Sequence, residues 1–537
     1  MTIILGVNAG SATHHDAAAA LIDDHGRVLA CVEEERISRV RHAPGTKFPV
    51  LATARCLKIA GIGAHEVDAV AVGWDEPRLN HRWDFQSPEQ FLDQLGLHGP
   101  RRPDLHFAPH HLAHAASAFH AGPFEAAAVL VVDGNGEDEC ASIYRARRGQ
   151  PLVRLARWPC VYSLGHLYEA ASKWLGLGRH GAGKTMGLAA YGSHLPEHDP
   201  GWLTAGEHGL ISALGTDPTL GYEQLKDRWR TQVARFAGAP GATRPPAELD
   251  TDPAAVRVAA AVQATAQRVM TALAAHAREL TGLHQLCIAG GVGLNCAANG
   301  RIAPPLYVPP LPHDAGVALG AAWTLAGPRE PSVFSPYTGS LPGPLTREQL
   351  AENVPNEVDP EHVARLLADG RIVAVARGRS EAGPRALCHR SFLASPLDAG
   401  MRQRVNSLKR REQWRPFGPV TNADPNPWWS DAGHLERYMI GAAQLTEHGA
   451  ALLPAVAHAD ATTRPQRLAA GDEDLVDAVL HALGGLGHPP VLLNTSFNGP
   501  GEPLVETATQ ALACARRLGA DALVTDDALL LLAPETR

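Results

Sequence analysis

AAAVLVVDGNGEDECASIYRARRGQPLVRLARW, residues 126–158, decides the fold. An apolar run reaches the polar, glycine-bearing Asp133-Gly134-Asn135. ASIYRARR follows, then a turn at Gly149-Gln150, then LVRLARW. This reads as strand, polar loop, strand, turn, strand. Residues 2–36 repeat the plan: TIILGVNAG closes on Asn8-Ala9-Gly10, AAAALIDD follows, and a turn at His25-Gly26 leads into RVLACVEEER. Each copy runs on into helical sequence. A repeated β-β-β unit predicts a duplicated α/β fold whose two polar loops face each other across a cleft. Two unrelated β meanders are the competing reading.

The duplicated arrangement is similar to the actin, acetokinase and sugar-kinase (ASKHA) superfamily. Further along, residues 254–281 are Ala-rich with helical periodicity and stop at Gly282. HQLCIAGGVGLNCAANGRI then reads as a buried strand, a glycine turn and a helix start. The stretch 326–344, AGPREPSVFSPYTGSLPGP, reads as the main linker. After it a new α/β unit opens with the helix EHVARLLADG and the strand RIVAVARG. The expected domains are 1–345 and 346–537.

A chain of 537 residues has room for two to four domains. With 45% apolar and 19% charged residues it reads as an ordinary globular protein. A net charge of -8 argues against a dedicated nucleic-acid binder. MTIILGVNAG reads as a strand and not as a signal peptide. No apolar run approaches the roughly 20 residues that span a bilayer. The eight cysteines form no CxxC pair and read as reduced, buried hydrophobes of a cytoplasmic protein.

Several motifs carry chemistry. His110 and His114 in PHHLAHAASAFH are spaced i, i+4, which places two imidazoles on one helix face. Asp133 and Asp314 complete a mixed nitrogen and oxygen set suited to Fe(II), Mn(II) or Zn(II). A plain histidine cluster, with His111 and His120, competes with this reading. Glycines in GGVGLN, 290–295, would let backbone N–H groups approach a phosphate or ribose. Gly178 to Thr185 satisfies the phosphate-loop pattern GxxxxGK[ST], but the residues before it look helical. A Walker-type site is therefore rejected, and Lys184 is kept as a possible anion contact. His15-Asp16, after the first strand, reads as a base or hydroxyl-orienting pair, or as a turn. The C-terminal half gathers Arg379, Arg385, Arg390, Lys409, Arg410, Arg411, Arg415, Arg464 and Arg467 among Gly, Pro and apolar residues, with Asn494, Thr495, Ser496 and Asn498 at a strand end. Such cations suit phosphates, and structural ion pairs compete for some of them.

Together ILGVNAG, HHDAAAALI, EEERISRVRH, HHLAHAASAF, VVDGNGE, GKTMGLAAYG, GGVGLNCAANG, GRSEAGPRALCHRS, REQWRPFGP and NTSFNGPGEP resemble the carbamoyltransferase family of the cephalosporin, aminoglycoside, novobiocin-type and nodulation-factor enzymes. The match runs almost end to end. The resemblance implies an ASKHA-type N-terminal domain, similar to the transferase that makes threonylcarbamoyladenosine on tRNA, and a YrdC-like α/β C-terminal domain. It implies that the second domain makes carbamoyl adenylate from carbamoyl phosphate and ATP, taken with Mg(II). The first would then pass the carbamoyl group to a free hydroxyl of a small molecule, such as a sugar hydroxyl of an antibiotic, with no nucleic acid or membrane partner. Fe(II), or another divalent metal, would be held by His110, His114, Asp133 and Asp314. Lys409, Arg415, Arg464 and Ser496 would bind the phosphates, with Arg385, Asn494 and Thr495 beside them. Gly290, Gly291 and Asn295 would contact the adenylate, with Gly134, Asn135 and Lys184 lining the cleft. His15, with Asp16, would sit by the acceptor oxygen. An actin-superfamily small-molecule kinase giving ADP is the alternative. The chain departs from the family's pattern at His180, Gly181 and Ala182, and at Ser380, Ala382, Cys388 and His389.

Overall fold

The fold is described from a computed structural model, which covers residues 2–10, 15–75, 77, 87–99, 101–196, 199–206, 209–330, 333–352, 355–425, 427–469 and 474–532. His14 of the HHD motif, and Pro331 and Ser332 of the expected linker, lie outside the described residues.

The two repeated segments build two sheets of one topology. In the first, β1 (Ile3–Asn8), β2 (Ala18–Asp23), β3 (Val28–Glu33), β4 (Ala69–Val72) and β5 (Asp104–Phe107) lie in the order β3-β2-β1-β4-β5. In the second, β6 (Ala126–Gly136), β7 (Glu139–Arg147) and β8 (Val153–Pro159) come first in sequence. A separate hairpin of β9 (Leu203–Gly206) and β10 (Gly209–Ser212) precedes β11 (Leu286–Ala289) and β12 (Leu306–Tyr307). The order is β8-β7-β6-β11-β12. In each sheet the opening strand is antiparallel to its hairpin neighbour and parallel to the strand that returns by a helical crossover. The duplication expected from the sequence is thus present, strand for strand.

Two helices lie between the sheets. Ala315–Ala326 packs on β1, β2 and β4, and His110–His120 packs on β6 and β11. Every residue from Ala315 to Trp323 is buried, as expected of a helix that is apolar all round. The close approach depends on absent side chains. A Cβ on Gly320 would lie 1.8 Å from the Ala113 carbonyl oxygen, and one on Gly6 would lie 1.9 Å from that of Ala318.

One expectation needs correction. Asp133-Gly134-Asn135 does not end its strand. β6 continues to Gly136, and the hairpin register breaks between Val132 and Gly136. Such an irregularity turns a side chain out of the strand's alternation without ending the strand. The phosphate-loop pattern has no strand before it: the helix Leu164–Trp174 precedes it, and its last residues, from Ala182, already lie in the helix Ala182–Ala189.

The last third forms a mixed sheet. Its strands are β13 (Val373–Ala376), β14 (Arg390–Ala394), β15 (Gly418–Thr421), β18 (Gln466–Arg467), β19 (Val491–Ser496), β20 (Ala522–Val524) and β21 (Leu529–Leu531), in the order β18-β15-β19-β14-β13-β20-β21. β16 (Ala443–Gln444) and β17 (Thr462–Thr463) pair outside it. The described residues of 326–344 beyond the helix end carry no helix or strand, yet they are anchored. Gly339 and Ser340 exchange backbone bonds with Ser380, and Tyr337 stacks on His389 at 3.9 Å. Tyr438, Met439, Ile440 and Trp414 join the core of the first two sheets, so the halves share apolar packing.

Gly320→Ala should drive the two central helices apart and cost about 3 kcal/mol or more in urea denaturation, at the top of the range for overpacking. Gly484→Ala, on an exposed helix position with nothing within 4 Å, should instead gain up to about 1 kcal/mol.

Candidate functional site

The first turn of His110–His120, the bulged part of β6 and the start of Ala315–Ala326 converge. His110 Nε2 lies 3.6 Å from Asp133 and 3.7 Å from Asp314. His114 Nε2 lies 3.8 Å from Asp133, 3.5 Å from Asp314 and 3.1 Å from His110 Nε2. One donor atom from each residue falls within 4.8 Å of all the others. Asp314 is the N-cap residue of its helix but makes no capping bond, so its carboxylate is free to point here. The Gly291 N–H donates to Asp133 at 2.9 Å and fixes the second carboxylate.

Hydrogen bonding sets the protons. His110 Nδ1 is 3.0 Å from the Gly73 carbonyl, which can only accept, so this nitrogen carries a hydrogen. In the neutral ring Nε2 then presents a lone pair to the carboxylates and to His114. Trp74 stacks on the ring at 3.8 Å and holds its plane. Burial works against a charged His110, but hydrogen bonds to Asp133 and Asp314 outweigh it and push its pKa up to about 10. Burial and the neighbouring Asp314 charge would raise Asp133, yet the imidazoles hold it down to about 2. The pocket therefore attracts positive charge strongly. Its two nitrogens and two carboxylates, with lone pairs converging, fit a divalent cation of the Fe(II), Mn(II) or Zn(II) kind.

Beside it stands a second cluster. Both oxygens of Asp16 accept hydrogen bonds, from His15 Nδ1 at 2.9 Å and from His42 Nδ1 at 2.9 Å. His180 stacks on His42 at 4.2 Å, and His15 lies 4.0 Å from Asp314. Burial would lower the His15 pKa, but Asp16 and Asp314 raise it to about 9. Asp16, with φ of 54°, and His42, with φ of 62°, both occupy the left-handed region. Strain of this kind at a cleft marks a constrained geometry. His42 was not among the candidates read from sequence. Its motif RVRH was visible, but the pairing with Asp16 depends on a fold-back the sequence does not show.

The cations of the last third divide. Arg385, Arg411, Arg415 and Arg464 line the cavity. Burial, together with neighbouring Arg464, pushes Arg385 down to about 9. The Nε atoms of Arg385 and Arg464 are buried and have no hydrogen-bond partner. Glu412, 3.6 Å from Arg415, also pairs with Lys184 at 2.7 Å. The carboxylates facing this group do not balance its charge, and an anion would.

Lys409 does not line the cavity. Its ammonium donates to Ser496 Oγ (3.1 Å), to the Asn498 carbonyl (3.2 Å) and side chain (2.9 Å), and to the Ser496 carbonyl. An ammonium has three hydrogens, so nothing remains for a phosphate. Lys409 holds the end of β19 in shape, which differs from the phosphate contact expected. Arg390 is likewise spent on backbone carbonyls, among them those of Arg377, Gly378 and Ser340. Arg379 is spent on those of Leu29, Thr338 and Gly339. Asn494, Thr495 and Ser496 line the cavity.

Further expected contacts are used inside the protein. Gly290 N–H donates to the Pro312 carbonyl, and a Cβ there would meet the Val132 carbonyl oxygen at 2.2 Å. The glycine serves strand packing, and neither its N–H nor that of Gly291 is available to a phosphate. Asn295 exchanges two hydrogen bonds with Gln263 while lining the cavity. Gly134 accepts from Ser163, and Asn135 lies 3.3 Å from His166. Trp74 and His110 link the described residues of the two repeated loops. Asn8 is buried and accepts a bond from Trp74, so Trp74 and His110 stand between it and Asp133.

One cavity of about 1120 Å³ touches both regions, with His15, Asp133 and Asp314 on its walls together with Arg415, Arg464 and Ser496.

Comparison with known proteins defines the class. Residues 89–323 match the family profile described as "Carbamoyltransferase N-terminus" and residues 364–531 the one described as "Carbamoyltransferase C-terminus". Nodulation protein NolNO of Sinorhizobium fredii is 32% identical over 96% of this chain and 79% of its own. Nodulation protein U of Rhizobium tropici is 28% identical over 93% of this chain and 92% of its own. Among solved structures, the ROK hexokinase of Thermus thermophilus is similar over 60% of this chain and 98% of its own, at 20% identity and a TM-score of 0.31. The chain is a transferase. It belongs to the carbamoyltransferase family, in the type that includes the nodulation proteins.

Lys409→Ala should destabilise the protein by about 3 kcal/mol in chemical denaturation, because the acceptors around it stay buried and unpaired. Lys184→Ala breaks a half-exposed pair with Glu412 and should cost under about 1 kcal/mol.

Proposed function

We propose that the protein is an O-carbamoyltransferase that runs two half-reactions on one cavity. Residues 346–537 make carbamoyl adenylate, and residues 1–345 pass its carbamoyl group to an alcohol. Water first cleaves carbamoyl phosphate to carbamate and inorganic phosphate. A carbamate oxygen then attacks the α-phosphorus of ATP, taken with Mg(II), and pyrophosphate leaves. Arg385, Arg411, Arg415 and Arg464 supply the positive charge these phosphates need, in a setting where it is weakly screened.

In the second half-reaction the acceptor oxygen attacks the carbamoyl carbon. The bond from that carbon to the adenylate oxygen breaks, and AMP leaves. His15 receives the hydroxyl proton at Nε2, since Nδ1 is engaged by Asp16. A divalent cation held by His110, His114, Asp133 and Asp314 would polarise the carbonyl or hold the adenylate phosphate, and by neutralising Asp314 it would make His15 less prone to arrive protonated.

The shared cavity carries this reading. A mixed anhydride hydrolyses in water, so a space lined by both sets of residues suits its passage from one to the other. The acceptor is a small molecule with a free hydroxyl, and a sugar hydroxyl of a secondary metabolite such as an antibiotic suits this chemistry.

The deciding experiment incubates the protein with carbamoyl phosphate, ATP, Fe(II) and a panel of hydroxylated natural products. Products are read by mass spectrometry and nucleotides by chromatography. AMP, pyrophosphate and a carbamoyl mass gain are expected; ADP and a phosphorylated acceptor would replace this reading with a kinase. Arg464→Ala should raise the KM for carbamoyl phosphate about 10- to 100-fold, the equivalent of ~1.5–3 kcal/mol for a charged hydrogen bond. Elemental analysis should find one divalent ion per chain after metal loading. His114→Ala should lose that ion and the transfer step, while pyrophosphate release continues.

A further inference from the structure

Glu33, the last residue of β3, is 4% exposed and reaches the cavity wall, yet it belongs neither to the four cation donors nor to the phosphate-facing arginines. Its Oε2 accepts the Gly383 N–H at 3.1 Å and lies 3.0 Å from Arg36 Nη2. Arg36 closes the ring by donating to the Gly383 carbonyl at 2.6 Å. Glu33 Oε1 lies 3.6 Å from His313 Nε2. Arg36 and His313 are themselves buried, at 3% and 7% exposure.

Each partner leads to a different reacting region. His313 is bonded to Asp314. Gly383 is two residues from Arg385, on the cavity wall. β3 is paired through Ala18 to the strand that follows His15-Asp16, and Glu34 N–H donates to the Ala17 carbonyl. Gly383 has little freedom to adjust. Its φ is 108°, and a Cβ would lie 2.5 Å from the Pro310 carbonyl oxygen, on the segment that runs into His313-Asp314. Burial favours a neutral Glu33, but Arg36 and His313 keep it ionised. A buried ion pair of this kind adds little net stability; it costs much to break and fixes one arrangement.

We infer that Glu33 is a positioning residue shared by the two half-reactions: its carboxylate sets the Asp314 loop against the Gly383–Arg385 loop, so cation affinity and phosphate affinity depend on one side chain. This rests on the function proposed above. It adds that one substitution, at a residue that is neither a cation donor nor one of the phosphate-facing arginines, will change both.

The test uses the full chain. Co(II) binding is followed by titration calorimetry and its visible spectrum. The KM for carbamoyl phosphate is measured from pyrophosphate release. Glu33→Ala should weaken Co(II) binding about tenfold or more, as loss of a group behind a metal ligand does, and raise that KM by a similar factor. Glu33→Gln keeps an acceptor for Gly383 without the charge and should fall between. Arg379→Ala cuts another tie across the same junction and should move neither constant. Should Glu33→Ala fail to fold, Gly383→Ala displaces the loop from the other side. It is expected to weaken Co(II) binding as well as phosphate use, and an effect on the KM alone would overturn the inference. So would Glu33→Ala constants within twofold of the starting protein, or an Arg379→Ala shift as large as that of Glu33→Ala. If the unsubstituted protein binds no Co(II) or releases no pyrophosphate, the fault lies in the function proposed above and not in the coupling.

Discussion

Two carboxylates and two imidazoles buried within 4.8 Å of one another need positive charge between them. Moving an ion out of water costs several kcal/mol even after the protein relaxes, and two like charges side by side cost more. Without a cation, His110 meets part of this cost by staying protonated, its pKa pushed up to about 10, with Nε2 facing Asp133 and Asp314. The surrounding structure serves to hold those groups. Gly73 fixes the His110 tautomer, Trp74 fixes the ring, and Gly291 fixes Asp133. Gly320 lets the helix that follows Asp314 lie against the helix that carries the histidines.

The other side of the cavity presents the opposite imbalance. Arginines gather there with few carboxylates, and buried nitrogen atoms of Arg385 and Arg464 lack partners. Unpaired buried donors are expensive unless a ligand completes them. One region asks for a cation and the other for anions. A substrate with phosphates at one end and an acyl group to be attacked at the other answers both. Opposed charge demand on one continuous cavity is a stronger statement about chemistry than either cluster alone.

Much of this was legible in the sequence because it was written as local pattern. Two β-β-β units gave the duplicated sheets, and an i, i+4 pair on a Pro-led helix gave the imidazole face. Asp133 and Asp314 could be paired with them because two carboxylates complete a mixed nitrogen and oxygen donor set, and the resemblance to the carbamoyltransferases implied the same four residues. What could not be read was how each polar group spends its hydrogen bonds. Lys409 and Arg385 both read as cations among glycines and apolar residues, yet one is caged by Ser496 and Asn498 and the other faces the cavity. The glycines of 290–291 read as a phosphate turn, but their N–H groups serve Pro312 and Asp133. His42 was invisible because its partner Asp16 is brought to it by backbone in the left-handed region, a conformation that non-glycine residues rarely reveal in advance.

The same reasoning explains why the two halves cannot be independent modules joined by a tether. The Pro- and Gly-rich stretch between them is bonded to Ser380, and Arg379 reaches across to the Leu29 carbonyl. Residues 438–440 complete the core of the first two sheets. An unstable intermediate gains from this only if the distance between its birthplace and its target is fixed, since effective concentration depends on geometry as well as on enclosure. Apolar packing alone gives a fixed contact but a forgiving one, because hydrophobic surfaces tolerate small slips. Buried hydrogen-bonded charge does not: a shift of an ångström at Glu33 loosens its contacts with Arg36, His313 and the Gly383 N–H together. The junction combines apolar area for affinity with a buried carboxylate for register, and register is what the two proposed half-reactions on one cavity would require.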